Sequence, residues 1–190
     1  MEKIEDLLTA LSLEQNITLE NIPDIDLYMD QVIQLFENTY NSTKRDEEEK
    51  ILTKTMINNY AKGKLFFPIK NKKYSKDHII LISLIYQLKG NMSIKDIKVL
   101  FEGLNEKIMT SDFALEHFYN SYLQLVNENV ETFKKDVKDI AVATKSEVIK
   151  LEDKDEDYLE QVLLIASLSY MSNLYRRAVE KLVDEIIQKR

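Results

Sequence analysis

Apolar residues recur at helical spacing through most of the chain, and the order of those stretches gives the expected architecture. Ile4, Leu7, Leu8 and Leu11 step by i, i+3, i+4 and i+7, which predicts a short amphipathic helix. Pro23 marks a boundary. Asp24 or Asp26 can then cap a second helix whose core side holds Leu27, Val32, Leu35, Phe36 and Tyr40. The polar stretch Asn41 to Lys50 reads as a loop with a helical end. Thr53 is a good N-cap for a helix from Lys54 to about Lys62, with Gly63 to end it. One side of that helix is apolar, carrying Met56, Ile57, Tyr60 and Ala61. Its opposite side gathers Lys54, Thr55, Asn58, Asn59 and Lys62.

The period then changes. Leu65 to Ile69 and Lys70 to Tyr74 are two short β-prone pieces around a Lys-Asn-Lys turn, which predicts a small hairpin. Ser75 caps a helix containing Ile79, Ile80, Leu81, Ile82, Leu84, Ile85, Tyr86 and Leu88. Being apolar nearly all round, it belongs in the middle of a core. Gly90 stops it, and Ser93 opens another helix with Ile97, Leu100, Phe101 and Leu104.

Two longer helices follow. From about Asp112, Tyr122, Val126, Val130, Phe133, Val137 and Ile140 keep helical spacing; Phe113, Phe118, Tyr119 and Tyr122 read as core aromatics. After the acidic break Glu152–Asp157, a last helix from about Asp155 to Gln188 would be about 50 Å long if straight. Its stripe needs cover from the preceding helix or a second protomer. The pairing surface is expected at Met171, Leu174, Tyr175, Ala178, Leu182 and Ile186, making a homodimer.

Composition supports a helical chain: three glycines and two prolines in 190 residues leave little turn-forming material. With no cysteine there is no disulfide framework, thiolate metal site or cysteine nucleophile. The acidic N-terminus lacks signal-peptide character, and Val162–Met171 is too short to span a bilayer, so a cytoplasmic location without membrane association is expected. No phosphate-binding glycine loop, paired histidine motif or nucleophile elbow occurs, so the chain is not expected to be an enzyme or to carry a cofactor or metal. His78 reads as a first-turn helix residue, and neither it nor His117 has a partner at ligand spacing.

Charge is what changes the picture. The formal net charge is −7, yet Ile51 to Lys76 holds seven lysines and no carboxylate. Of 26 basic residues, 19 then remain against 33 acidic ones elsewhere. Local field, rather than net charge, decides where a polyanion docks. Residues Lys54, Thr55, Asn58 and Asn59 are placed for base edges, since asparagine pairs bidentately with adenine and helices read the major groove. The expected phosphate contacts are Tyr60, Lys62, Lys64, Lys70, Lys72, Lys73, Tyr74 and Lys76. For Tyr60 a core position competes with this role, and for Asn58 a local backbone contact does.

Several blocks occur in an order that resembles a known family: Ile25–Val32, Leu52–Lys62, Pro68, Lys72–Ile79, Tyr86–Gly90 and Ser93–Ile97. Between about Ile22 and Leu104 the chain resembles the family called domain of unknown function 1836. That family in turn resembles the winged helix-turn-helix reader of MerR-type transcription regulators. Asn58-Asn59-Tyr60, Leu65, Tyr74 and Ser75 fall where such readers carry Arg-Tyr-Tyr, the leucine after glycine, and the start of the helix after the wing. Asn58 and Asn59 replace the arginine and first tyrosine, and the glycine falls on Lys64, so that arginine's phosphate contacts do not transfer.

The resemblance implies a winged-helix DNA-binding domain with a β-hairpin wing, expected at 20–105; with the helical periodicity on either side of it, the expectation is a mainly α protein that also has an N-terminal helical segment at 1–19 and a helical dimerisation or effector domain at 106–190 ending in a long helix. Its implied partner is double-stranded DNA, with a small-molecule effector left open. The competing reading is a helical interaction module without DNA binding, or a ligand sensor.

Overall fold

The protein is seen as a computed structural model that describes residues 2–111 and 113–189. Among these residues it is mainly α-helical, with seven α-helices, a small two-stranded β element and a long C-terminal helix. The helices are α1 (Glu2–Ala10), α2 (Met29–Tyr40), α3 (Lys54–Lys62), α4 (Lys76–Leu88), α5 (Ile94–Thr110), α6 (Leu115–Ile149) and α7 (Glu156–Gln188). The strands are β1 (Leu27–Tyr28) and β2 (Lys73–Tyr74). Asp112, where the sequence places the start of the sixth helix, lies outside the described residues.

The chain divides into two compact units, residues 15–125 with 181–190, and residues 1–14 with 126–180. These limits differ from breaks at 19/20 and 105/106. A buried hydrogen bond gives one reason: the Tyr119 hydroxyl in α6 donates to the Ile17 carbonyl at 2.6 Å, tying both segments into the first unit.

The centre of the first unit is α4. Every residue from His78 to Ile85 is buried, as expected of a helix that is apolar on all sides. Its cluster includes Val32 and Phe36 of α2, Ile57 and Tyr60 of α3, Ile97 and Phe101 of α5, and Tyr119 of α6. Polar groups at its C-terminal end are paired. Gln87 donates to the Tyr40 hydroxyl at 3.1 Å, and the Lys89 ammonium lies 4.4 Å from the Tyr86 ring centre and reaches the Ile51 carbonyl. Burial pushes the Tyr40 and Tyr119 hydroxyls well above the ordinary tyrosine range.

Local chemistry sets the helix ends. Thr53 accepts the Met56 N–H at 3.1 Å and starts α3 at Lys54. Ser93 does the same for Asp96 at the start of α5. Gly63 ends α3, but with φ −70 it is not the left-handed residue; Lys64 takes that role with φ 58. A Cβ at Gly63 would lie 3.1 Å from the Asn59 carbonyl oxygen, a tight contact at the end of the helix.

The hairpin is smaller than its sequence span. Asn71 and Lys72 have φ 52 and 59, two consecutive left-handed residues as in a type I′ turn, and the Lys73 N–H donates to the Lys70 carbonyl at 2.9 Å. Beyond that bridge, β2 does not pair with residues 65–69. Pro68 has no N–H to give to a ladder, and β2 instead pairs antiparallel with β1, Leu27 opposite Tyr74 and Tyr28 opposite Lys73. The hairpin is thereby fixed to the start of α2.

In the second unit Leu8, Val137, Ala141 and Val148 are buried. Lys138 pairs with Glu5 and Lys134 with Glu14, each at 2.7 Å. Ile82 is fully buried at the centre of the first unit, so Ile82→Ala should cost about 2–5 kcal/mol, read as a lowered urea midpoint with an unchanged m-value.

Candidate functional site

The amphipathic division of α3 is realised in three dimensions. Ile57 and Tyr60 are buried, while Lys54, Thr55, Asn58, Asn59 and Lys62 are exposed. Both asparagines are therefore exposed rather than filling the core. Three elements meet beside this face. The Lys54 ammonium is 2.8 Å from Asp30 in the first turn of α2. Tyr28, two residues before Asp30, pairs with Lys73 across the β ladder, and the Lys73 ammonium lies 5.1 Å from the Tyr28 ring centre. The amino ends of α2 and α3 and the lysine-bearing hairpin are thus linked. Lys70 and Lys72 are exposed on either side of Asn71. Their left-handed turn holds the cations at the hairpin tip.

Three sequence assignments change. Tyr60 and Tyr74 are 4% and 1% exposed, and burial raises both hydroxyl pKa values, so neither ring is presented to a phosphate. Tyr60 fills the core side of α3, and Tyr74 stacks edge-on with Phe66 and His78. Lys76 is half-buried at the start of α4 and lies 3.1 Å from Glu116 and 3.9 Å from Asp24. These carboxylates come from outside the acid-free segment and neutralise it. Lys54 is also opposed, by Asp30, although it stays exposed. Among the described residues, no ion pair involves Lys62, Lys64, Lys70, Lys72 or Lys73.

His78 holds the hairpin on its other side. A carbonyl only accepts, so Nε2–H donates to the Phe67 carbonyl at 3.1 Å; the Ser75 N–H only donates, so Nδ1, its acceptor, carries no proton. Nδ1 then accepts from the Ser75 N–H at 3.2 Å and the Ser75 hydroxyl at 2.7 Å. The neutral ring therefore closes the N-terminal cap of α4 and fixes the chain leading to the hairpin. Burial is the main cause of its lowered pKa.

Sequence reading gave Tyr28 and Asp30 no role. Tyr28 is 54% exposed on the β ladder, and Asp30 sets the charge available at Lys54. Neither is signalled locally, because each depends on a partner distant in sequence. The same unit contains an open groove of about 680 Å³ whose lining includes Lys64, Phe66, Pro68, Lys98 and Asn105. The Asn105 amide donates to the carbonyls of Leu65 at 3.0 Å and Phe101 at 2.9 Å, and its oxygen is buried without a partner among the described residues.

Of the expected pairing residues, Leu174, Tyr175, Ala178 and Leu182 are exposed, with Tyr175 at 63% and Leu182 at 61%. Met171 and Ile186 are half-buried. Among the described residues, no helix is long and apolar enough to cross a membrane, and no group of three or more histidines or carboxylates is gathered to hold a metal ion.

A pH dependence follows from His78. With its folded pKa below the ordinary value, the unfolded chain binds more protons between the two values. The contribution to stability is present above about pH 6.5 and is lost as pH falls towards the folded pKa. His78→Gln keeps a capping side chain without the titration. The melting temperature of the native protein should fall more than the variant's between pH 7.5 and 5.5, as followed by circular dichroism; equal falls would reject the assignment.

Comparison with curated proteins and with solved structures found no match. Residues 17–122, more than half of the chain, match the family described as Domain of unknown function (DUF1836), and the protein belongs to that family.

Proposed function

We propose that this protein is a DNA-binding transcription regulator whose reader is a MerR-like winged helix-turn-helix formed by α2, α3 and the 70–74 hairpin. The observation that carries this reading is the outward face of α3. It presents Thr55, Asn58, Asn59 and Lys62 in a unit whose adjacent hairpin adds Lys70, Lys72 and Lys73. Amides supply base-edge hydrogen bonds, whereas flexible ammonium groups supply phosphate charge with little sequence information. Asn58 and Asn59 are the base-reading residues in this proposal, with Thr55 and Lys54 at the amino end. Lys62, Lys64, Lys70, Lys72 and Lys73 take the phosphates. The β1–β2 ladder supports the wing assignment because it holds the hairpin beside α2. No catalytic role is proposed.

The DNA-competent form is proposed to be a homodimer in the cytoplasm. A nine-residue recognition helix offers few base contacts, and two-fold pairing doubles them. Exposed Leu174, Tyr175 and Leu182 on α7 support a helix–helix pairing surface. The opposed cations favour a second reading, in which the fold serves as a protein-interaction module: Lys54 and Lys76 already meet carboxylates of the same chain.

Binding to genomic fragments in a filter assay separates the readings. A dimer contacting several phosphates should show a log–log salt slope of about −4 or steeper. Lys72→Glu with Lys73→Glu should abolish binding with helicity intact. Asn58→Ala should relax sequence preference while leaving the slope unchanged. Asp30→Asn, which releases Lys54, should tighten binding and steepen the slope by about 0.9 for each phosphate gained. Binding that ignores salt and the two-lysine change would reject the regulator.

A further inference from the structure

Asp30 and Lys54 form a pair with bonding capacity to spare. The Lys54 ammonium lies 2.8 Å from Asp30 Oδ1, and both side chains are largely exposed, at 65% for Lys54 and 74% for Asp30. That contact uses one of three ammonium N–H groups and one carboxylate oxygen. Two donors and Oδ2 are left, and among the described residues neither side chain enters a second ion pair or hydrogen bond. Both ends are placed by fixed local structure. Asp30 is the second residue of α2, whose start is held by the Tyr28 N–H donating to the Gln31 side-chain oxygen at 2.8 Å. Lys54 is the first residue of α3, directly after the Thr53 cap. The pair therefore sits at the amino end of the proposed recognition helix, the part of such a helix that meets base edges.

We propose that Asp30 and Lys54 act together as the specificity-determining residues for one G·C base pair, an assignment that rests on the DNA-binding reading above. In the major groove G·C presents guanine N7 and O6 as acceptors and then the cytosine N4 amino group as a donor. The two free N–H groups of Lys54 match the acceptors, and Asp30 Oδ2 matches the donor. Spacing agrees as well. Guanine O6 and cytosine N4 are hydrogen-bonded partners about 2.9 Å apart, against 2.8 Å between ammonium and carboxylate. An A·T pair in the same register presents acceptor, donor, acceptor. Its adenine N6 would then meet the ammonium and its thymine O4 the carboxylate, donor against donor and acceptor against acceptor. Asp30 thus contributes by rejection as well as by contact. A lone lysine supplies charge with little base information; held by a carboxylate, it acquires direction. Asn58 and Asn59, a turn further along α3, are left for adenine.

Selection of bound duplexes from a random-sequence pool, with the full-length protein, tests this. Sites chosen by the native protein should share a G·C pair whose change to A·T weakens binding about tenfold or more. With Asp30→Ala, a change at an exposed position, that preference should drop below about threefold while affinity for other duplexes rises, because a negative charge is removed. Lys54→Arg should retain the preference, since arginine also pairs with guanine O6 and N7, and Lys54→Ala should lose it. An equal change on every sequence in the Asp30 variant would mean that the pair only joins two helices, and would overturn the proposal. So would a selected site whose A·T pairs respond to Asn58→Ala but whose G·C pairs ignore both Asp30 and Lys54; that result leaves the regulator standing. No enrichment of any duplex would reject the base-pair assignment and the regulator together.

Discussion

The first unit depends on the burial of α4. An ordinary surface helix has one side facing water, but His78 to Ile85 have none, so other elements must surround them. Side chains from α2, α3, α5 and the start of α6 join the same cluster. Because β2 ends at Tyr74 and α4 begins at Lys76, the position of the hairpin follows directly from that of the helix. Ser75 and His78 make the junction rigid: one neutral imidazole caps the helix through Nδ1 and holds the Phe67 carbonyl through Nε2. The core side of α3 is committed to the same cluster through Ile57 and Tyr60. Its polar residues are consequently turned to solvent.

Electrostatics on that outward face result from two opposing choices. The chain as a whole is acidic, and the segment from Ile51 to Lys76 excludes carboxylates. Folding returns some of them. Asp30 comes to Lys54, and Glu116 and Asp24 come to Lys76, whereas among the described residues no ion pair involves Lys62, Lys64, Lys70, Lys72 or Lys73. Exposed pairs of this kind contribute little to stability, typically below about 1 kcal/mol. Their larger effect is on the local potential.

The C-terminal half poses a different physical problem. Tyr158, Ile165, Tyr170 and Tyr175 of α7 are large and well exposed, as are Val142 and Ile149 of α6. Single exposed apolar residues are ordinary on a protein surface. The acidic residues around Asp155 make a solvated break before α7 and place negative charge at its amino end, where it is favourable.

Much of this was legible in the residues themselves. Thr53, Ser75 and Ser93 announce the starts of α3, α4 and α5, because capping is local chemistry. The all-apolar stretch of α4 announces its burial, and the polar side of α3 emerges from period alone. The family resemblance also lies in the order of short sequence blocks. Tertiary structure alone decided that β2 would leave residues 65–69 for Leu27–Tyr28, that Tyr74 would be a core ring, and that Lys54 and Lys76 would meet carboxylates. It also made the groove beside Asn105. The reason is common to all four: burial, strand pairing and charge opposition depend on distances between residues far apart in the chain, whereas caps and periodicity are set by neighbours within a turn or two.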